Sequence, residues 1–428
     1  MPFRRLKKLL STLGPGLITG VADDDPSGIA THSQTGAQFG FGQLWTTLYL
    51  LPFMIAVQEA CARIGAVTGK GIVAVVKEFY SEKVAWFVVI LVLIANTINI
   101  GADIGAMAAA AELIVPINFV ILTFIFTAVI LILEIFTSYK AYVKILKWLT
   151  LAVISYIITV FIVGVKLTDV IHATLVPHFE FNFPFLFIVT GVIGTTISPY
   201  MFFWEAAEEV EEERSKRLLS VNNKPKINWT FIHHLRVDNA IGMIVSNAIA
   251  WCIIVTTASV LHKDGITTIN TSADAARALE PLVQTFPHAG YIAKIIFSTG
   301  VIGLGLLAVP ILSGSASYAV SEALNWKASL NYKFKRAHGF YGVITVATLI
   351  GLIINFIGVD PIKALVITAV INGIVAVPLI FLIAKVASNE KIMGQYKSGL
   401  LSKIFIWLTF IGMSLAAIAM IFAMVTQQ

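Results

Sequence analysis

Apolar stretches of about 20 residues recur from one end of the chain to the other, and that length is what an α-helix needs to cross the hydrocarbon core of a bilayer. Only short polar gaps separate them, so no hydrophilic block is large enough to fold as a soluble domain. On that ruler about eleven spans fit, beginning near residues 13, 41, 84, 117, 142, 184, 235, 288, 339, 361 and 401. The 428 residues are 57% hydrophobic and 13% charged, whereas an ordinary soluble domain carries roughly 25% charge. The expected fold class is therefore an all-α polytopic membrane protein, with the lipid bilayer as its surroundings. A net charge of +6 gathers into no basic stripe or tail, which argues against a nucleic-acid partner. Cys61 and Cys252 both lie inside apolar runs, so neither a disulfide framework nor a thiolate metal site can be built.

The opening Met1 to Lys8 followed by an apolar run imitates a signal peptide, but Asp23, Asp24 and Asp25 interrupt the run and no small-residue cleavage site follows. It reads as span 1. Lys and Arg then fall mostly in alternate loops, with only Lys166, Lys263, Arg277, Lys294 and Lys363 on the opposite side. The bias orients the N-terminus toward the cytoplasm and, with an odd number of spans, the C-terminus outside. Localisation in the plasma membrane is the matching expectation; the sequence leaves the oligomeric state open.

Two spans contain a proline beside polar residues at mid-depth. Span 1 reads Asp23-Asp24-Asp25-Pro26-Ser27-Gly28, and span 6 reads Gly194-Thr195-Thr196-Ile197-Ser198-Pro199-Tyr200. Proline removes a backbone donor and clashes with the preceding turn, so each helix should open at Pro26 or Pro199. Backbone left unpaired at that depth survives only beside water, ions or protein. First and sixth are corresponding positions if the chain holds two inverted repeats of five helices, 1–167 and 184–387, with 401–425 as an eleventh helix. An intramembrane carboxylate marks a functional site, and Asp25, at the break, is the one expected to face a cation. For one or two of the three aspartates a solvated helix end is the bland alternative.

Beyond the break, Gly14-Pro15-Gly16, Asp25-Pro26, Gln34 to Gly40 and Ala62 to Lys70 make the chain resemble, over nearly its whole length, the Nramp family of divalent-metal transporters. The resemblance implies a LeuT-type fold in which spans 1 and 6 are discontinuous. It also implies a transporter with no catalytic residues and no resident cofactor, a divalent ion being the substrate. The ligand positions depart from the family pattern. Asp-Pro-Gly-Asn in that family is Asp25-Pro26-Ser27-Gly28 here, so an amide ligand becomes Gly28. Met-Pro-His becomes Ser198-Pro199-Tyr200, and a second histidine falls on Glu205. Span 3 keeps Asp103 near one of the family's acidic positions, and Asn372 in span 10 lies near a family amide.

Thioether sulfur favours softer transition metals, whereas carboxylate, carbonyl, hydroxyl and water suit Mg²⁺, Ca²⁺ and Mn²⁺. The expected metal site is thus oxygen-only and roomy: Asp25, the backbone near Ala22 and Thr195, the Ser198 hydroxyl, and space at Gly28. Tyr200, Glu205, Asp103 and Asn372 are expected along the pathway or behind the ligands. With the sixth-span histidines absent, the expectation is import of Mg²⁺ first and Mn²⁺ second, without obligatory proton coupling. Proton-coupled Mn²⁺ or Fe²⁺ symport is the alternative within the family, and an organic-solute or amino-acid carrier on the same fold is the alternative outside it. Glu208, Glu209 and the glutamates at 211 to 213 read as a solvated helix end paired with Arg214, Lys216 and Arg217. Glu59 and Arg63 read as an internal pair one turn apart, with Gln58 beside them.

Overall fold

A computed structural model describes residue 20 and residues 24–137, 150–219 and 225–426, and among them no β-strand occurs. The spans are α1 (Pro26–Phe39), α2 (Trp45–Thr68), α3 (Glu82–Glu112), α4 (Phe119–Phe136) and α5 (Ile154–Val163). They continue as α6 (Phe183–Thr196), α7 (Pro199–Ser215), α8 (Trp229–Thr257), α9 (Ala289–Ala323), α10 (His338–Ile354), α11 (Pro361–Ala387) and α12 (Leu400–Thr426). Eight stretches among the described residues are long and apolar enough to cross a membrane, α6 and α7 counting together, and α5 and α10 are shorter apolar helices. With α1 these occupy the eleven expected positions; the first half of span 1 and the start of span 5 lie outside the described residues.

Each helix start is written locally. Pro26 and Pro199 take the first helical position, where a missing N–H costs nothing, and Asp25 and Ser198 are the residues before them. Ser81, Asn118, Asn228 and Asp360 cap α3, α4, α8 and α11 through side-chain oxygens. Proline alone does not break a span: Pro52, Pro310 and Pro378 lie inside continuous helices. At residues 24–25 and 197–198 the chain leaves the helical path altogether, with Ile197 at φ −121° and ψ 68°.

The broken span lies at the centre. In the apolar stretch of α6 and α7, 94% of residues are buried, against 28% in α4 and α12. Those outer helices turn Ile121, Phe124, Phe136, Leu415, Ile418 and Phe422 outward, as lipid-facing surfaces should. α1 packs against α6, α8 and α11, while α7 packs against α2 and α9. Close approach depends on small residues. A Cβ added to Gly194 of α6 would lie 2.0 Å from the Ala369 carbonyl oxygen and 2.3 Å from the Gly373 nitrogen of α11. Gly194→Val should therefore force these helices apart and cost at least about 1–3 kcal/mol, read as a lower melting temperature and loss of the monodisperse peak in detergent. An unchanged melting temperature would contradict this packing.

Candidate functional site

Asp25 caps α1 and is tied down on both carboxylate oxygens. Its Oδ1 accepts from the Gly28 backbone N–H and the Ser27 hydroxyl, both at 2.7 Å. Its Oδ2 accepts from Asn99 Nδ2 of α3 at 3.0 Å. The residue is 1% exposed. A carboxylate offers about four acceptor positions, so roughly one is left for a ligand.

Asp24 is buried too, with Oδ1 accepting from Ser246 of α8 at 3.2 Å and Oδ2 without a hydrogen-bond partner. The solvated-end reading thus fails for Asp24 and Asp25, because α8 and α3 close over the break. Asp23 and Ala22, whose backbone was expected to face the ion, lie outside the described residues.

At the second break Ser198, also 1% exposed, points its hydroxyl back onto the end of α6, donating to the carbonyls of Thr195 at 2.7 Å and Gly194 at 3.0 Å. The Thr195 carbonyl, expected to be open, therefore already carries a hydrogen bond, although a carbonyl retains a second lone pair. The oxygen left without a partner here is the Thr195 hydroxyl. α1 and α6 meet beside this point: a Cβ on Gly191 would touch Thr31 of α1 and Val370 of α11, each at 3.3 Å.

The remaining expected residues divide. Asp103 is fully buried, within Coulombic reach of Asp25, and both its carboxylate oxygens lack hydrogen-bond partners. Asn372 is buried with its Nδ2 unpartnered, next to Gly373, which abuts Thr190 of α6. Glu205 is buried on α7 and accepts from Asn239 of α8 at 3.2 Å. Gly28 gives its N–H to Asp25 and its carbonyl to His32. Tyr200 packs in an apolar cluster with Ile104, Met107 and Leu312. The glutamates beyond Glu205 are not a solvated end, since Glu209, Glu211 and Glu213 are buried; Glu211 is held by Ser329, Asn331 and Arg214. Glu212, half-buried and paired with Lys216, fits the bland reading.

Sequence reading missed Asn99, Ser246 and His32. Ser246 comes from a helix whose facing side no local motif announces. His32 is buried on α1 one turn beyond Gly28, its Nδ1 at 2.8 Å from the Gly28 carbonyl. A carbonyl only accepts, so Nδ1 carries the proton and neutral His32 presents Nε2 as a bare acceptor, which has no partner. Regular spacing along α3 was the available signal for Asn99, because Asn96, Asn99 and Asp103 share one face.

Either side of the breaks is fastened. Gln34 of α1 donates to the Thr267 carbonyl and accepts from the Ile269 N–H, and His262 Nδ1 contacts the Ala37 carbonyl at 2.8 Å. The loop after α8 is thereby tied onto α1. At the other end Glu59 takes both Arg63, one turn away on α2, and Arg236 of α8, each at 2.8 Å. Arg63 also donates to the Tyr396 carbonyl and to Ser398. The internal pair expected from the sequence is thus a three-residue cluster; Gln58 stands apart, buried with neither side-chain polar atom bonded.

Residues 16–423 match the Nramp family, described as natural resistance-associated macrophage protein-like. The chain belongs to the Nramp family. Among its relatives, the divalent metal cation transporter MntH of Klebsiella pneumoniae (strain 342) is 25% identical over 398 residues, which cover 91% of this chain and 88% of that protein. The structure of the Eremococcus coleocola manganese transporter superposes with a TM-score of 0.76 at 15% identity, covering 98% of this chain and 87% of that one. Mhp1, a nucleobase-cation-symport-1 family transporter, superposes with a TM-score of 0.58 at 13% identity, covering 96% and 92% of the two chains. These likenesses establish the LeuT-type fold for this Nramp protein.

Asn99→Leu keeps the volume at α3 but removes one donor from Asp25. A hydrogen bond to a charged group is worth roughly 1.5–3 kcal/mol, so the half-saturating ion concentration for uptake into liposomes should rise about tenfold or more. Unchanged uptake would remove Asn99 from the site.

Proposed function

We propose that this Nramp protein imports hard divalent metal cations, Mg²⁺ first and Mn²⁺ second, by alternating access around the two broken helices. Its N-terminus lies in the cytoplasm and its C-terminus outside. The observation that carries this reading is the set of buried oxygens left without partners around the breaks: Asp24 Oδ2, Asn99 Oδ1, the Thr195 hydroxyl and both oxygens of Asp103. A buried polar atom without a partner calls for a physical reason, and an ion or its water is one. Oxygens of this kind suit Mg²⁺, Ca²⁺ and Mn²⁺, and no thioether replaces the family methionine at Ser198.

Asp25, with roughly one acceptor position open, is suited to an ion that keeps most of its waters. Mg²⁺ dehydrates reluctantly and usually holds one or two carboxylates at most directly. In this reading Asp25 bears the charge, Thr195 and Ser198 complete the shell directly or through water, and Gly28 leaves room that a larger side chain would fill. Asp103 and Asn372 stand behind it, and Glu205 lies on the route inward. The membrane potential contributes about 4.6 kcal/mol per 100 mV to a divalent cation entering a negative interior. Transport therefore needs no proton gradient.

One observation favours a second reading, proton-coupled Mn²⁺ symport. His32 is an imidazole one turn from Gly28 whose open Nε2 can accept a hydrogen bond beside the first break. Internal pH separates the two readings. In proteoliposomes the wild type should take up Mg²⁺ and Mn²⁺ with no matching acidification, and Asp25→Ala should take up neither. Stoichiometric acidification that disappears in His32→Ala would establish the symport reading instead.

A further inference from the structure

At the end of the molecule opposite the Glu59 cluster, α1, α6, α11 and the loop after α8 leave a gap between them. It is a cavity of about 330 Å³, the size at which small-molecule pockets begin. Its lining is graded. α1 runs from the first break toward this end while α6 and α11 start from it, so Gln38, Thr268 and Lys363 stand at the rim. Phe187 and Ile367 lie one turn further in than Phe183 and Lys363, about 6 Å at 1.5 Å per residue, with Ile188 and Val366 beside them. Ile367 is 42% exposed, and Phe183 and Phe187 pack against the cluster that holds Met420 of α12, so the apolar depth borders the lipid-facing side.

Lys363 is exposed, and among the described residues that line the cavity it alone is charged. Among the described residues no carboxylate pairs with its ammonium. Asp360, the nearest in sequence, instead accepts the Ile362 and Lys363 backbone N–H groups on its Oδ1. The walls are shared with a second space. Ile269 and Ile362 also line a cavity of about 10 Å³ beside Pro26, Ala30 and Ser33 of α1, room for at most one water. Gln34, in the wall of the larger cavity, fixes Ile269 by accepting its N–H at 2.9 Å. The closure above the first break and the larger cavity are thus made by the same residues.

We propose that the larger cavity binds a medium-chain fatty acid from the outer leaflet, with its carboxylate on Lys363 and its chain among Phe187, Ile188 and Val366, and that the bound acid holds this side shut and slows uptake. Charge complementarity selects the head group, since a neutral alcohol leaves Lys363 unpaired. The apolar depth selects the tail, since a shorter acid leaves that surface in water. An occupant that touches α1, α6, α11 and the loop in one arrangement favours that arrangement over any in which they part. The inference rests on the import reading for which face is outside and for the effect on uptake; binding itself does not depend on it.

Calorimetric titration of octanoate into the purified full chain in detergent tests the site. The wild type should bind one octanoate per chain. Lys363→Gln should bind it about fivefold more weakly, the loss expected for an exposed ion pair. Ile367→Trp adds bulk at the wall and should weaken binding about fivefold or more, which keeps the test open if either variant alone fails to fold. Octanol and acetate should each bind more weakly than octanoate. Equal binding by the wild type and Lys363→Gln, or octanol matching octanoate, would overturn the site, because the cation would then select nothing. Acetate matching octanoate would overturn it as well, because the apolar depth would be unused. In liposomes octanoate should lower the maximal rate of Mn²⁺ uptake by the wild type and spare Lys363→Gln. Binding without that effect would keep the site and overturn the clamp. Octanoate binding by a chain that takes up no Mn²⁺ would keep the site and overturn the import reading.

Discussion

A carboxylate that starts a helix inside a membrane is the interaction on which the site depends. Asp25 satisfies the first turn of α1 through Gly28 and Ser27 and anchors α3 through Asn99. In water such a cap contributes about 1 kcal/mol. In hydrocarbon no solvent replaces the missing partners, so the same bonds decide whether α1 can begin at Pro26 at all. They also limit what the carboxylate can do for a ligand, because most of its acceptor capacity already belongs to the protein.

α8 connects the places where charge is held. Ser246, Asn239 and Arg236 lie along it, and they meet Asp24 at the first break, Glu205 on α7 and Glu59 on α2. One rigid helix therefore touches the break, Glu205 of α7 and the Glu59, Arg63 and Arg236 cluster. A shift of α8 against α2 and α7 would disturb all of them together. Coupling between distant groups needs such a shared element with discrete arrangements.

Much of this was legible in the sequence, and the part that was not has a common cause. Helix positions follow from hydropathy alone: spans expected near 184, 288, 361 and 401 begin at Phe183, Ala289, Pro361 and Leu400. Breaks at Pro26 and Pro199 follow from proline flanked by polar residues, while Pro52, Pro310 and Pro378 show that proline by itself is insufficient. What pattern could not supply is which side of a helix meets which neighbour. Asn99 reaches Asp25 across 74 residues and Ser246 reaches Asp24 across 222. The glutamates of α7 look solvated at helical spacing, yet α2, α8 and the 329–331 segment bury them. Ser198 was legible as a hydroxyl at the break, but not that its hydrogen would turn back to Thr195 and Gly194.

Anomalous scattering from crystals grown with Mn²⁺ measures the central claim most directly. The account predicts a peak beside Asp25 between the two breaks, with at most one or two protein oxygens at direct bonding distance, about 2.0–2.6 Å for hard cations, and the rest of the shell made of water. A peak wholly enclosed by protein ligands, or one that persists unmoved in Asp25→Ala, would contradict it.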